Sequence, residues 1–101
     1  MIQVRYEPEL LAYMKEKGRK NISVEVASSH ASDFEVTEIF LRFVRDSQAD
    51  YLCRKQRYRS IQTEIGRVLL PPYRLEYDDT ITFGLKKYWI FRHVTFDGIR
   101  L

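Results

Sequence analysis

At 101 residues with no linker-like run, the chain is sized for one domain over Met1–Leu101, able to bury roughly two-thirds of its unfolded surface without a disulfide or metal staple. A hydrophobic fraction of 45% with 14% aromatic excludes intrinsic disorder, and a lone cysteine, Cys53, excludes an intrachain disulfide framework. The 17 Lys plus Arg against 14 Asp plus Glu leave a net charge of +3, too small to mark a nucleic-acid binder, and with no long apolar run or signal-peptide core the expectations are a cytoplasmic protein and no membrane partner.

Ile2 and Val4 alternate with Gln3 and Arg5, which predicts a short leading strand. A helix follows. Pro8 suits its first turn, Glu7 and Glu9 lie near its positive end, Lys15 and Lys17 near its negative end, and Gly18 just beyond. Leu10, Leu11 and Met14, widened by Tyr6 and Tyr13, form the stripe that would lie on a sheet. Ile22, Val24 and Val26 alternate with Ser23 and Glu25 as a half-buried strand ending at Ala27. The next residues, Ser28–Asp33 (SSHASD), have the composition of a turn whose side chains bond their own backbone.

Two periods fit Phe34–Asp46. Val36, Ile39, Phe40, Phe43 and Val44 make a helical stripe, with Ser32 and Glu35 at capping-box spacing, whereas Ile39, Leu41 and Phe43 alternate as a strand. The Thr, Ile, Phe and Val content, without Ala or Lys, favours the strand. Ser47–Asp50 (SQAD) reads as a hairpin turn into a strand at Tyr51–Cys53, running on into a basic segment whose middle is an exposed turn. Gly66 opens a strand at Val68–Leu70, and Pro71 and Pro72 end it because neither carries an N–H. Tyr73, Leu75 and Tyr77 alternate with Arg74 and Glu76, after which Asp78 and Asp79 turn the chain.

Thr80–Leu101 holds the only Trp and the densest aromatic run. In an extended strand Tyr88, Ile90, Arg92, Val94 and Phe96 share one face, with Trp89, Phe91, His93 and Thr95 on the other. Both faces are largely apolar, so this stretch is expected to be interior β-structure, with Asp97 and Gly98 making a final tight turn. The sum is an α+β domain: a mostly antiparallel, twisted β-sheet with one N-terminal helix packed on it.

The order of a short strand, a helix ending KEKG, the strand ISVEV, a small-residue loop and a run of strands finishing in KKYWIF resembles the HesB-like family of A-type iron–sulfur carriers. It looks closest to the divergent branch with a Cys-Cys or Cys-selenocysteine pair after the second strand. The resemblance implies the family's fold. The family's activity depends on thiolates, which hold iron–sulfur clusters. Here Ser28 and Ser29, followed by His30, stand where the paired cysteines would be, and Asp97 and Gly98 near the end carry no Cys. A serine hydroxyl is not ionised at neutral pH and is a poor ligand for soft metals, so neither an iron–sulfur cluster nor any other cofactor is expected.

Ser28, Ser29, His30, Ser32 and Asp33 gather hydroxyls, an imidazole and a carboxylate, a ligand or partner loop in one reading and a capped turn in the other. Should His30 and Asp33 meet His93, they would form a metal site. Cys53 precedes Arg54 and Lys55, whose charge would activate an exposed thiol; a buried Cys would be a small hydrophobe. Arg54, Lys55, Arg57 and Arg59 with Tyr51 and Tyr58 interleave cations with rings that stack on bases. No residue is assigned a catalytic role. The main expectation is a noncatalytic binding or accessory protein with a protein partner, self-associating as a homodimer if its aromatic face is exposed. The alternative is a small nucleic-acid-binding module using Arg54–Arg59.

Overall fold

The N-terminal strand and helix form where the sequence predicts them. In the computed structural model, which describes residues 2–31 and 34–101, β1 is Gln3–Tyr6 and α1 is Pro8–Lys17. The helix starts at Pro8 and ends on Gly18, whose φ of 67° is left-handed, with Arg19 N–H donating to the Met14 carbonyl at 2.8 Å. Leu10 and Met14 are fully buried, a contribution of about 2 kcal/mol each. After them come β2 (Asn21–Ala31), β3 (Phe34–Val44), α2 (Asp46–Lys55), β4 (Arg59–Gln62), β5 (Arg67–Leu70), β6 (Glu76–Tyr88) and β7 (Phe91–Arg100). Neither helix is long and apolar enough to cross a membrane.

The α+β class holds, but the strands divide into two sheets of mixed orientation rather than one mostly antiparallel sheet. One has the order β1-β6-β7 and the other β3-β2-β5-β4. β1 runs parallel to β6 and β2 parallel to β5, while β2–β3, β4–β5 and β6–β7 are antiparallel. The main core lies between the sheets, where Tyr6, Leu10, Met14, Ile22, Val24, Val68, Leu70, Ile81, Phe83 and Ile99 meet. A smaller core of Val44, Ala49, Leu52 and Leu69 lies where α2 covers the second sheet.

That second helix corrects the expected SQAD hairpin and Tyr51–Cys53 strand. Ala49, Leu52 and Cys53 sit at i, i+3 and i+4, so they share one helical face, and it packs on Leu69 and Val44. Asp46 in the first turn and Arg54 and Lys55 in the last suit the helix dipole, and the Arg45 N–H donates to Gln48 Oε1 at 3.0 Å. Asn21 ties this junction together: its Nδ2 donates to the Val44 carbonyl and to Asp46 Oδ1, and its Oδ1 accepts the Arg67 N–H at 3.0 Å. These bonds join the starts of β2, α2 and β5 around a side chain that is itself buried.

Four further expectations change. Phe34–Val44 is a strand, as favoured, but β2 does not stop at Ala27: it pairs residue for residue with β3 from Asn21↔Val44 to Ala31↔Phe34. Ser28–Ala31 are therefore strand, and Ser32 and Asp33 lie outside the described residues. Asp78 and Asp79 belong to β6, not to a turn. The closing aromatic stretch is not an interior strand, for the chain reverses at Trp89–Ile90 with Tyr88 and Phe91 as the last pair. The expected turn at Asp97–Gly98 lies within β7. Gly98 does take a positive φ, 94°, but it uses it at an irregularity where β6 carries residues 78–81 between the pairs Tyr77↔Ile99 and Thr82↔Asp97.

A Cβ built at Gly98 would stand 2.6 Å from the Thr80 carbonyl oxygen. Gly98→Ala therefore meets both backbone strain and a clash with main chain, and is expected to cost about 2–3 kcal/mol in urea unfolding. A loss under about 0.5 kcal/mol, the range of neutral surface substitutions, would contradict this account of the irregularity.

Candidate functional site

The two sheets approach each other along two seams. On one, Tyr6 of β1 reaches across to the turn between β4 and β5, its hydroxyl 2.8 Å from Thr63 Oγ1. Thr63 donates to the Gly66 carbonyl at 2.9 Å, so the phenol is the donor in that pair. Burial raises the Tyr6 pKa, keeping the donor protonated. The other seam, between β3 and β7, holds a groove of about 540 Å³.

β3 and β7 are end strands of their sheets. The groove is lined by the consecutive residues Ile39–Phe43 of β3 and Arg92–Val94 of β7, with Tyr13, Ile22, Leu85 and Phe96 completing it. Side chains alternate along a strand, so a consecutive run reaches one groove only when the strand's edge, with its backbone N–H and C=O groups, faces it. The walls are mostly apolar and the rim is cationic. At the α1 end Tyr13 packs on Phe43 with ring centroids 6.4 Å apart, the Arg92 guanidinium lies 5.6 Å from the Tyr13 centroid, and that of Arg19 lies 5.7 Å from the Phe43 centroid. Such an arrangement offers backbone hydrogen bonds, apolar contact and positive charge to an extended chain.

Of the predicted ligand loop, Ser28 is in β2 with its Oγ 3.3 Å from Thr37 Oγ1. Ser29 and His30 are opposite Val36 and Glu35 in the β2–β3 ladder, and Asp33 lies outside the described residues. His93 is exposed on β7, opposite Lys86. Among the described residues no group of three or more His, Cys, Asp or Glu is placed to hold a metal. Cys53 is half-buried against the smaller core.

The basic segment does not continue a strand as expected: Arg54 and Lys55 end α2, Arg57 takes a left-handed φ of 60°, and Arg59 begins β4. All four cations are exposed. Tyr58 instead turns inward: its ring packs on the smaller core and its hydroxyl donates to Glu25 Oε2. Glu25, with a side chain only 12% exposed, also accepts from Ser23 Oγ at 2.7 Å and from Arg42 Nη2 at 3.2 Å. This cluster fastens the α2–β4 junction to β2 and β3. The sequence hides it because Tyr58 lies 33 positions from Glu25. The one available signal was Glu25 itself, a charge on a strand whose neighbours are apolar.

Burial first, and then the hydrogen bond to Glu25, push the Tyr58 pKa up to about 12. A phenol with its folded-state pKa above the unfolded value of about 10 favours the fold while protonated, so its contribution is complete below pH 10 and is lost as pH rises through about 12. Tyr58→Phe is expected to destabilise by about 1–2 kcal/mol at pH 7, and the gap between variant and wild type should close between pH 10 and 12 in denaturant titrations. A gap unchanged to pH 12 would show that the phenol makes no such bond.

No family model, curated protein or solved structure matches the chain.

Proposed function

We propose that this chain is a noncatalytic binding or accessory domain that takes an extended segment of a protein partner into the seam between β3 and β7. The observation that carries this reading is the facing of two sheet edges across an apolar groove of about 540 Å³. An added strand would satisfy edge N–H and C=O groups, while alternate side chains settle among Leu41, Phe43, Val94 and Phe96. Arg92 and Arg19 make apolar residues interleaved with carboxylates the best chemistry for that segment. A cytoplasmic setting, where a half-buried thiol such as Cys53 stays reduced, belongs to the same proposal.

The HesB-like relationship enters this proposal through β1–α1–β2, the part of the resemblance that matches the observed order. α2, and the reversal at Trp89–Ile90 within KKYWIF, depart from the element order on which the resemblance rests. The proposal uses the scaffold only as a frame for the groove and assigns no cluster chemistry. The nucleic-acid alternative draws on the exposed Arg54, Lys55, Arg57 and Arg59, but its ring at Tyr58 is engaged inward, which leaves Tyr51 alone to stack.

Immobilised protein incubated with extract of its native host tests the groove. Ile39→Asp, which puts a charge on the apolar wall, and Arg92→Glu, which reverses the rim, are each expected to reduce capture of the partner about tenfold or more. Both must keep the wild-type circular dichroism spectrum. Ser28→Ala, outside the groove, should leave capture intact. Undiminished capture by both groove variants would remove the seam as the binding surface.

A further inference from the structure

The end of the β6–β7 hairpin is built in a way that neither packing nor the groove explains. Trp89 and Ile90, at the reversal, are 88% and 87% exposed, and Tyr88 and Phe91 beneath them 67% and 68%. Trp89 holds a φ of 60° at the first position of a two-residue turn, where glycine is the favoured residue. A bulky side chain in that conformation is strained, and the fold keeps it where the indole meets only solvent. The next two rungs down are Lys87 opposite Arg92 and Lys86 opposite His93. From Thr80 to Phe96 the hairpin contains no Asp or Glu. Glu9 and Glu16 of α1 share a cleft with Lys87 and Arg92, the rung directly below Tyr88 and Phe91, and leave Lys86 outside it.

We propose that this apex docks on an anionic lipid surface, with Trp89 and Ile90 entering the interface and Lys86 and Lys87 meeting the lipid phosphates. The spacing fits. One and two rungs of strand place Lys87 and Lys86 about 3 and 7 Å below the last aromatic pair, so with Trp89 and Ile90 entering the roughly 5–10 Å interfacial layer both lysines reach the level of the phosphates. Trp and Tyr favour the headgroup boundary, since their rings are apolar and their N–H and O–H stay wet. The charge is complementary to an anionic leaflet. A protein partner or second copy fits the apex less well, because a stable interface engages some 20–30 residues a side and the apex offers four. Nucleic acid fits less well too, since Ile90 has no face on which a base stacks. The expectation of no membrane partner rested on the lack of a spanning segment, and a hairpin tip is far shorter than one.

Trp89 is the chain's only tryptophan, so the intact protein carries its own reporter. Its emission is recorded as vesicles of phosphatidylcholine alone, or with a third of phosphatidylserine, are added. The expected result is a shift to shorter wavelength with the serine-containing vesicles, quenched by brominated acyl chains and diminished by high salt. Co-sedimentation then compares variants. Trp89→Gly suits the turn's backbone, so it should fold at least as well as wild type while losing about tenfold in partitioning. Lys86→Glu and Lys87→Glu should each lose about fivefold or more. Unchanged emission with anionic vesicles overturns the proposal. So does a blue shift on concentrating the protein alone, which marks self-association, or quenching by a single-stranded oligonucleotide while vesicles are inert. Equal partitioning onto neutral vesicles overturns the anionic preference.

Discussion

The second sheet is organised around β2, whose first four residues, Asn21–Val24, are buried on both faces. Ile22 and Val24 point into the main core, while Ser23 and Glu25 point toward α2 and the polar cluster beneath it. A strand clad on two sides cannot slip by one residue without exchanging its apolar and polar sets. β2 therefore sets the register of β3 along its whole length and that of β5 beside it. The buried Asn21 reinforces this at the one end where β2, α2 and β5 all begin, and Lys20 and Arg67 draw Asp46 into the same junction. First the bond from Asn21 and then that from Lys20 hold the Asp46 carboxyl below the usual carboxylate range.

The open seam is a consequence of that arrangement. β3 is bound along one edge by β2, and nothing in the sheet order covers the other. β7 stands in the same position at the end of the first sheet. Tyr6 and Thr63 bridge the opposite seam, and the β3–β7 seam is where apolar wall and backbone edge coincide. Strand β7 serves both surfaces: Val94 and Phe96 line the groove, Phe91 belongs to the apex, and Arg92 lies between them with its guanidinium held over Tyr13. A partner in the groove and a surface at the apex would thus be joined through one short strand.

What the sequence makes legible here is local and what it hides is tertiary. α1 can be read because Pro8, Gly18, the charge order and the Leu10/Met14 spacing all agree. β3 and β5 can be read from β-branched content and from the breakers around them. The second helix is hidden because SQAD has the composition of a turn, and the Leu69 and Val44 surface on which its Ala49/Leu52/Cys53 face packs comes from other strands. The reversal at Trp89–Ile90 breaks the local rule outright, since no turn preference places an indole at positive φ, while Asp97–Gly98 carries every turn signal and lies in a strand. The groove could not be read at all, because its two walls are brought together from β3 and β7, far apart in the chain. Where pattern and structure disagree most, at the apex, the disagreement itself points to function.

The central claim is that β3 presents a free edge to an open groove, and amide hydrogen exchange resolved residue by residue tests it most directly. Over Ile39–Phe43, the amides bonded to β2 should be protected and the intervening ones, facing the groove, should exchange rapidly. Uniform protection along those five residues would mean that the edge is already paired or covered, and the seam could not receive a partner's strand.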